Sequence, residues 1–160
     1  GRADLAVIAA PYDTEHLEGV PVGQELWAAM LHPDHPLARA EGDSIPLSSL
    51  VGEPLIVPSR KSRIEAIRRW FGEIGAEPRI LCEMSNYMDA AALTSHGVGI
   101  SIFPQTIGVS NGLVVSKVVA RPFRQVEYIL VWNKGQAPSG LTREFIRYVQ
   151  DYLEENQAES

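Results

Sequence analysis

The amino-acid sequence predicts an α/β fold with mostly parallel sheets, and the stretch from Pro54 to Pro104 carries the prediction. Short apolar runs in this stretch alternate with segments that have apolar residues at helical spacing, and glycine or proline punctuates the changes. Strands that alternate with helices of about ten residues are typical of parallel sheets with right-handed crossovers. In such sheets, ligands bind where the strands end and the helices begin.

A strand at 55–57 opens this stretch, and the segment after it predicts a helix. The apolar residues of that segment recur every three or four positions and share one helix face: Ile64, Ile67, Trp70, Phe71 and Ile74. Ser62 and Glu65 have the spacing of a capping box, so we expect the helix to begin there. Gly75 predicts its end, because glycine is favoured just beyond a helix C-terminus.

The second half of the stretch repeats this pattern. A strand at 80–82 leads to Ser85, a candidate N-cap. The helix after it has four apolar residues: Met88, Ala91, Ala92 and Leu93. Gly97 predicts the end of this helix. The strand at 98–103 is expected to end at Pro104, since proline donates no hydrogen bond to a sheet.

Further strands and a final helix flank the central stretch. The near-continuous apolar run at 5–9 is typical of a strand buried on both faces. Apolar runs also predict these strands: 26–31, 113–119 and 126–132. Apolar residues at 45–50 predict one helical turn docked on the core: Ile45, Leu47 and Leu50. Pro138 and Ser139 predict the start of a last helix with this apolar face: Leu141, Phe145, Tyr148, Val149 and Tyr152.

Composition limits the possible functions. At 160 residues with 45% hydrophobic content, the chain has room for one domain or two small lobes. The formal net charge of −6 opposes nucleic-acid binding by this segment, because a phosphate-binding surface needs clustered Lys and Arg. No apolar run approaches the roughly 20 residues that span a bilayer, so no membrane association is expected. Because the chain begins at Gly1 rather than Met, we expect a fragment or a processed chain. Cys82, the single cysteine, excludes an intrachain disulfide and is expected to be a buried thiol.

Positive charge is concentrated at the first central helix and the loop before it: Arg60, Lys61, Arg63, Arg68 and Arg69. We interpret Arg68 and Arg69 as a solvated helix face. Arg60 and Lys61 lie at the predicted helix N-terminus, where free N–H groups and the helix dipole favour an anion. These two residues therefore either bind a carboxylate or extend the solvated face.

Metal and catalytic groups are not indicated. His32 and His35 flank Asp34, but the neighbouring prolines prevent a helix that would place both rings on one face, so we expect a stiff loop and no metal. His96 beside Gly97 is interpreted as a helix C-terminal cap. There is no nucleophile elbow and no phosphate-binding loop, and we expect neither a cofactor nor an enzyme.

Four short motifs taken together resemble the effector-binding domain of LysR-type transcriptional regulators. They are GRADLAV at 1–7, HPLA at 35–38, IPLSSL at 45–50, and GVGIS at 97–101 followed by Phe103 and Pro104. The resemblance implies a two-lobed fold like that of periplasmic binding proteins, with an effector held between the lobes. It also implies that the first lobe is incomplete, because family members carry further strands and helices before the first motif. Lobe I would comprise 1–37 and 120–160, and lobe II 38–119.

The resemblance also implies site residues. On lobe II they are Pro58, Ser59, Arg60, Lys61, Ser62, Ser85, Asn86, Phe103 and Pro104. On lobe I they are Tyr12 and Gln24, beside Pro11 and Gly23. Hydroxyls and a guanidinium suit a carboxylate, and aromatic groups suit the rest of an organic ligand. Five of these residues have an alternative role: Ser62 and Ser85 as helix caps, Asn86 as a solvated side chain, Phe103 as core, and Tyr12 as a rim residue.

The function implied is that of a cytoplasmic, homo-oligomeric regulator domain that senses a small organic anion. It would reach DNA only through a winged helix-turn-helix domain absent from this chain. The alternative is a solute-binding protein of a transport system, which shares the fold but requires export.

Overall fold

The structure of this chain is a computed structural model that describes residues 5–105, 112–136, 140, 143–148 and 150–151. In chain order, its strands and longer helices are β1 (Ala6–Ala9), β2 (Leu17–Leu31), α1 (Pro36–Arg39), β3 (Ser44–Pro46), β4 (Leu55–Pro58), α2 (Lys61–Glu73), β5 (Ile80–Met84), α3 (Tyr87–Ser95), β6 (Ile100–Gln105), β7 (Val115–Ala120) and β8 (Gln125–Asn133). A 3₁₀ turn at Leu47–Leu50 lies between β3 and β4, and residues 143–148 are helical.

The chain divides into two compact units. Unit 1 contains Gly1–Glu25 and Val126–Ser160, and unit 2 contains Leu26–Gln125. The divisions therefore fall within β2 and at the start of β8, whereas the sequence placed the lobe boundaries at 37/38 and 119/120. The difference arises because β2 continues to Leu31, and its second half pairs with β6 and β7. The lobe boundaries themselves remain a prediction.

Three neighbouring strands of unit 2 are parallel, as the alternating pattern predicts. β4 pairs in parallel with β5 on one side and with β6 on the other. α2 and α3 connect them in the predicted order. The α/β prediction is therefore confirmed.

Antiparallel pairs beyond β6 make the sheet mixed, while β5 lies at the other end of the strand order among the described residues. β2 pairs antiparallel with β6 and with β7, and β7 pairs in parallel with the short β3. In unit 1, β1 pairs antiparallel with β8.

The core of unit 2 confirms the predicted apolar face of α2, whereas Met88 and Ala92 of α3 are exposed. Ile67, Trp70 and Phe71 of α2 are buried, while Ile64 and Ile74 are half-buried. The predicted docking turn is also confirmed, since its three apolar residues are buried: Ile45, Leu47 and Leu50.

The helix C-termini are confirmed, whereas the N-termini are displaced from their predicted positions. Gly75 and Gly97 have positive φ angles of 71° and 77°, as expected of glycines that end helices. The predicted capping box is wrong: α2 begins at Lys61, and its N-cap, Arg60, makes no side-chain capping bond. Ser62 therefore lies inside the first turn. The N-cap of α3 is Asn86, one residue beyond the predicted Ser85.

The expectation that the third central strand ends at Pro104 is also wrong. β6 continues to Gln105, and Pro104 lies opposite Trp27 of β2. On the other side, β6 pairs with β4 only as far as Ser101, so the missing N–H of Pro104 removes no hydrogen bond from that ladder.

In unit 1, the first strand is more exposed than its sequence predicts. β1 has β8 as its partner among the described strands, and Val7 is 60% exposed, so the prediction of a strand buried on both faces is wrong. In the last helix, the predicted apolar face is wrong at Phe145 and Tyr148, which are exposed, whereas Ile146 is buried. Other residues predicted for that helix lie outside the described residues: Pro138, Ser139, Leu141, Val149 and Tyr152.

Candidate functional site

Most of the residues predicted for lobe II follow the ends of two neighbouring strands in unit 2. β4 ends at Pro58, which lies beside Met84 at the end of β5, and the Ser59 N–H donates to the Met84 carbonyl at 2.9 Å. Because the two strands are parallel, the N-termini of α2 and α3 lie at the same edge of the sheet. The structure therefore brings residues 58–62 and residues 85–86 to one edge.

The N-terminus of α2 is electrically positive and has no side-chain cap. Arg60 has extended backbone angles, and its carbonyl accepts the first helical bonds, from Arg63 N–H at 2.9 Å and Ile64 N–H at 3.2 Å. The α2 first turn contains no acidic residue. Residues 59–62 are all exposed. Since the first N–H groups of a helix have no partner within it, this end can donate hydrogen bonds to an anion.

The N-terminus of α3 is already occupied by its own side chains. The Asn86 carbonyl oxygen Oδ1 accepts from the Asp89 N–H at 2.9 Å, and Asn86 Nδ2 donates to the Asp89 carboxylate at 3.0 Å. Asp89 also places a negative charge in the first turn, where it interacts favourably with the helix dipole. An anion is therefore better accommodated at α2 than at α3.

The remaining predicted residues of lobe II lie on β6. Phe103 is 5% exposed and belongs to a cluster of buried side chains: Met30, Ile56, Ala90, Ala91, Phe103 and Val114. Pro104 is half-buried. The burial of Phe103 accounts for its apolar character by packing, and a ligand-contacting role for either residue remains a prediction.

The residues predicted for lobe I lie in unit 1. The Tyr12 ring lies close to Gly19 of β2, where an added Cβ would lie 3.1 Å from Tyr12 Cζ and 2.6 Å from Ile129 Cγ2. The absence of a side chain at Gly19 thus makes room for both. Gln24 is exposed on β2, Pro11 is exposed, and Gly23 is half-buried. Their roles as site residues remain a prediction.

Comparison with known proteins identifies the family. The family model described as the LysR substrate binding domain matches residues 1–154. The chain belongs to this family. It is 26% identical over 97% of its length to the uncharacterized HTH-type transcriptional regulator YybE of Bacillus subtilis, covering 53% of that protein. The chain thus spans about half the length of the curated relatives it matches.

Solved structures of LysR regulators have the same fold. The C-terminal domain of a probable LysR family regulator from Rhodococcus sp. RHA1 matches with a TM-score of 0.78 and 26% identity, over 92% of this chain and 74% of that one. The effector-binding domain of QuiR in complex with shikimate matches with a TM-score of 0.77 and 24% identity, over 93% and 71%. The two-lobed family fold inferred from the motifs is therefore confirmed.

In this LysR-family domain, the two histidines near α1 have local structural roles. Nδ1 of His35 accepts from the Leu37 N–H at 3.0 Å and caps α1, and Nδ1 of His32 accepts from the Asp34 N–H at 3.0 Å. The expected stiff loop therefore includes one helical turn that begins at Pro36. His96 is confirmed as a cap of α3, since its Nδ1–H donates to the Ala92 carbonyl at 2.8 Å.

A group of possible metal ligands that the sequence interpretation missed lies between β1 and β2. Ligand atoms of Asp13, Glu15 and His16 lie within 4.8 Å of one another, and all three residues are exposed. Hydrogen bonds from His16 and from the Glu15 N–H lower the pKa of the Asp13 carboxyl below its usual value. The same bonds stabilise the turn without a metal, so the group by itself defines no site.

Two further features complete the comparison with the sequence. Cys82 is half-buried rather than fully buried, and it packs against the cluster of buried side chains that contains Phe103. Among the helices in the described part of the chain, none has the length and apolar character needed to cross a membrane.

The capping hydrogen bond at the N-terminus of α3 predicts different effects of substituting two neighbouring residues. Asn86→Ala removes the cap of α3 and is expected to lower the free energy of unfolding by about 1 kcal/mol. Ser85→Ala is the matched control, because Ser85 is exposed and is not the N-cap. Urea denaturation of both variants measures the difference. An equal loss in the two variants would contradict the assignment of Asn86 as the cap.

Proposed function

We propose that this chain is the effector-sensing part of a LysR-type transcriptional regulator and that it binds a small organic carboxylate at the N-terminus of α2. One observation carries the proposal. The N-terminus of α2 has no side-chain cap and lies beside two cationic side chains, whereas Asn86 and Asp89 occupy the neighbouring N-terminus of α3.

The groups at this end of α2 suit a carboxylate. The oxygens of a carboxylate can accept hydrogen bonds from the first-turn N–H groups and from the hydroxyls of Ser59 and Ser62. Arg60 adds a planar guanidinium that can donate two parallel hydrogen bonds, and Lys61 adds a second positive charge. The bound shikimate of the QuiR domain is itself a carboxylate, which supports this ligand class.

The regulatory role follows from the family. Curated relatives are named as transcriptional regulators, and about half of their length lies outside the match to this chain. We infer that DNA is bound by that other half and that the complete protein is a homo-oligomer. The family match favours this role over transport of a solute. Binding without turnover is proposed, so conversion of a bound carboxylate by the chain would contradict it.

Arg60→Ala tests the proposal. The variant should bind benzoate or shikimate more weakly by about 1.5 to 3 kcal/mol, the range for a hydrogen bond to a charged group. Isothermal titration calorimetry measures the affinity, with benzamide as the uncharged counterpart of benzoate. Arg60→Lys retains the charge but not the planar donor pair, and an intermediate loss is expected.

Arg68→Ala is the matched control, because Arg68 is exposed on the same helix about two turns further on. It should leave the affinity unchanged. Equal affinities of the wild type and Arg60→Ala would remove Arg60 from the site. Absence of binding of both carboxylates to the wild-type chain would overturn the proposed ligand class.

A further inference from the structure

The C-terminal half of α2 contacts the two segments by which the chain enters and leaves unit 2. The Trp70 indole Nε1–H donates to the Pro122 carbonyl at 2.8 Å. The Trp70 ring packs against the ring of Trp27, with centroids 6.0 Å apart and planes inclined at 56°. Trp70 therefore contacts Trp27, in the first residues of β2 that belong to unit 2, and also the turn that precedes β8.

An ion pair adds a second link between α2 and the segment before β8. Glu73, the last residue of α2, pairs with the guanidinium of Arg124. Arg124 is joined to β2 as well, because its carbonyl accepts the Trp27 N–H at 2.9 Å. Trp27 follows the division between Glu25 and Leu26 by two positions, and Arg124 precedes the other division by two. Residues of α2 thus contact the chain close to both divisions between the units, at Trp27 and at residues 122–124.

α2 joins its N-terminus to Trp70 and Glu73 as one unbroken helix. Its 13 residues make a helix about 19 Å long, and its buried face is continuous through Ile67, Trp70 and Phe71. A displacement of the helix at Lys61 is therefore passed to Trp70 and Glu73, because backbone hydrogen bonds join all turns of the helix.

We propose that α2 transmits occupancy of its N-terminus to the two crossing segments, 26–28 and 121–125, and that Trp70 and Glu73 are the positioning residues of this coupling. The inference rests on the proposed carboxylate site and adds its mode of regulation. Coupling of this kind requires that the anion bind one arrangement of α2 more tightly than another. Trp70 and Glu73 then fix the crossing segments in the arrangement that α2 adopts.

Hydrogen–deuterium exchange of the 160-residue chain tests the coupling, with saturating shikimate, or benzoate if it binds more tightly, as the probe. In the wild type, saturation should slow exchange at 26–28 and 121–125. Trp70→Phe keeps an aromatic ring but loses the indole N–H, and Glu73→Gln removes the charge of the ion pair. Both variants should still be saturated in calorimetry, while the change in exchange at the crossing segments falls by at least about half.

Glu77→Gln is the charge-matched control, because Glu77 is exposed and lies beyond the end of α2. It should retain the full wild-type change in exchange. A wild type that saturates without a change at the crossing segments would overturn the coupling, and so would two variants that retain the full change. Failure of the wild type to bind either carboxylate would overturn the proposed function and this inference with it.

Discussion

Replacing Phe71 with alanine is expected to lower the free energy of unfolding by about 3 to 5 kcal/mol, the range for removal of a buried phenyl ring. Phe71 is 0% exposed and belongs to the buried face of α2. The substitution removes the transfer free energy of the ring and leaves a cavity that the surrounding β-sheet cannot fill without moving. Chemical denaturation of the chain, monitored by tryptophan fluorescence, measures the loss.

Phe123→Ala is the matched control, because Phe123 lies in the same unit but is 58% exposed. A surface substitution of this kind should change stability by no more than about 0.5 kcal/mol. If the two variants lost the same stability, α2 would not be docked through Phe71. The interpretation of α2 as a helix fixed to the sheet would then fail, together with the coupling inferred from it.

Features that depend on neighbouring residues along the chain could be predicted from the sequence. The apolar stripe of α2 could be found because helical spacing places Ile67, Trp70 and Phe71 on one face whatever the rest of the fold does. The ends of α2 and α3 could be found because Gly75 and Gly97 readily adopt positive φ. The order of strands and helices suggested two lobes, and the family motifs added the likeness to periplasmic binding proteins.

Features that depend on distant partners could not be predicted in this way. The apolar run of β1 looks like a buried strand, but Val7 is exposed because burial depends on which elements cover the strand. The local pattern predicts the strand at 26–31, whereas β2 already begins at Leu17 and runs through Pro21, a residue type that is disfavoured inside strands. The chain divides within β2, whereas the sequence predicts a lobe boundary at 37/38, which stays a prediction.

The sequence predicted the charge at the N-terminus of α2 but not the capping of the two helices. The positive charges before α2 indicated an anion site, and the structure places them at a helix N-terminus as expected. Ser62 and Ser85 were expected to cap helices, yet each helix begins at a different residue. The difference between the two N-termini depends on hydrogen bonds between Asn86 and Asp89. These bonds require a particular side-chain geometry, which the residue types alone do not reveal.

Replacing Ser101 with alanine is expected to destabilise the chain by about 1 to 3 kcal/mol, the cost of leaving a buried polar group unpaired. Ser101 and Thr94 are both 0% exposed, and their hydroxyl oxygens lie 2.6 Å apart. The Ser101 hydroxyl donates to the Ala90 carbonyl at 3.1 Å, so the Thr94 hydroxyl donates to Ser101. These bonds join α3 to β6, and Ser101→Ala leaves the Thr94 donor without its acceptor.

The double variant Thr94→Val with Ser101→Ala separates polar pairing from packing. Because both hydroxyls are removed together, no donor is left unpaired by the loss of its partner. The double variant should therefore lose less stability than the sum of the single variants, by at least about 0.5 kcal/mol. Urea denaturation of all four proteins measures this coupling energy. Strict additivity would mean that the two hydroxyls contribute independently, and the short contact between them would then not explain how α3 is held on the sheet beside the site.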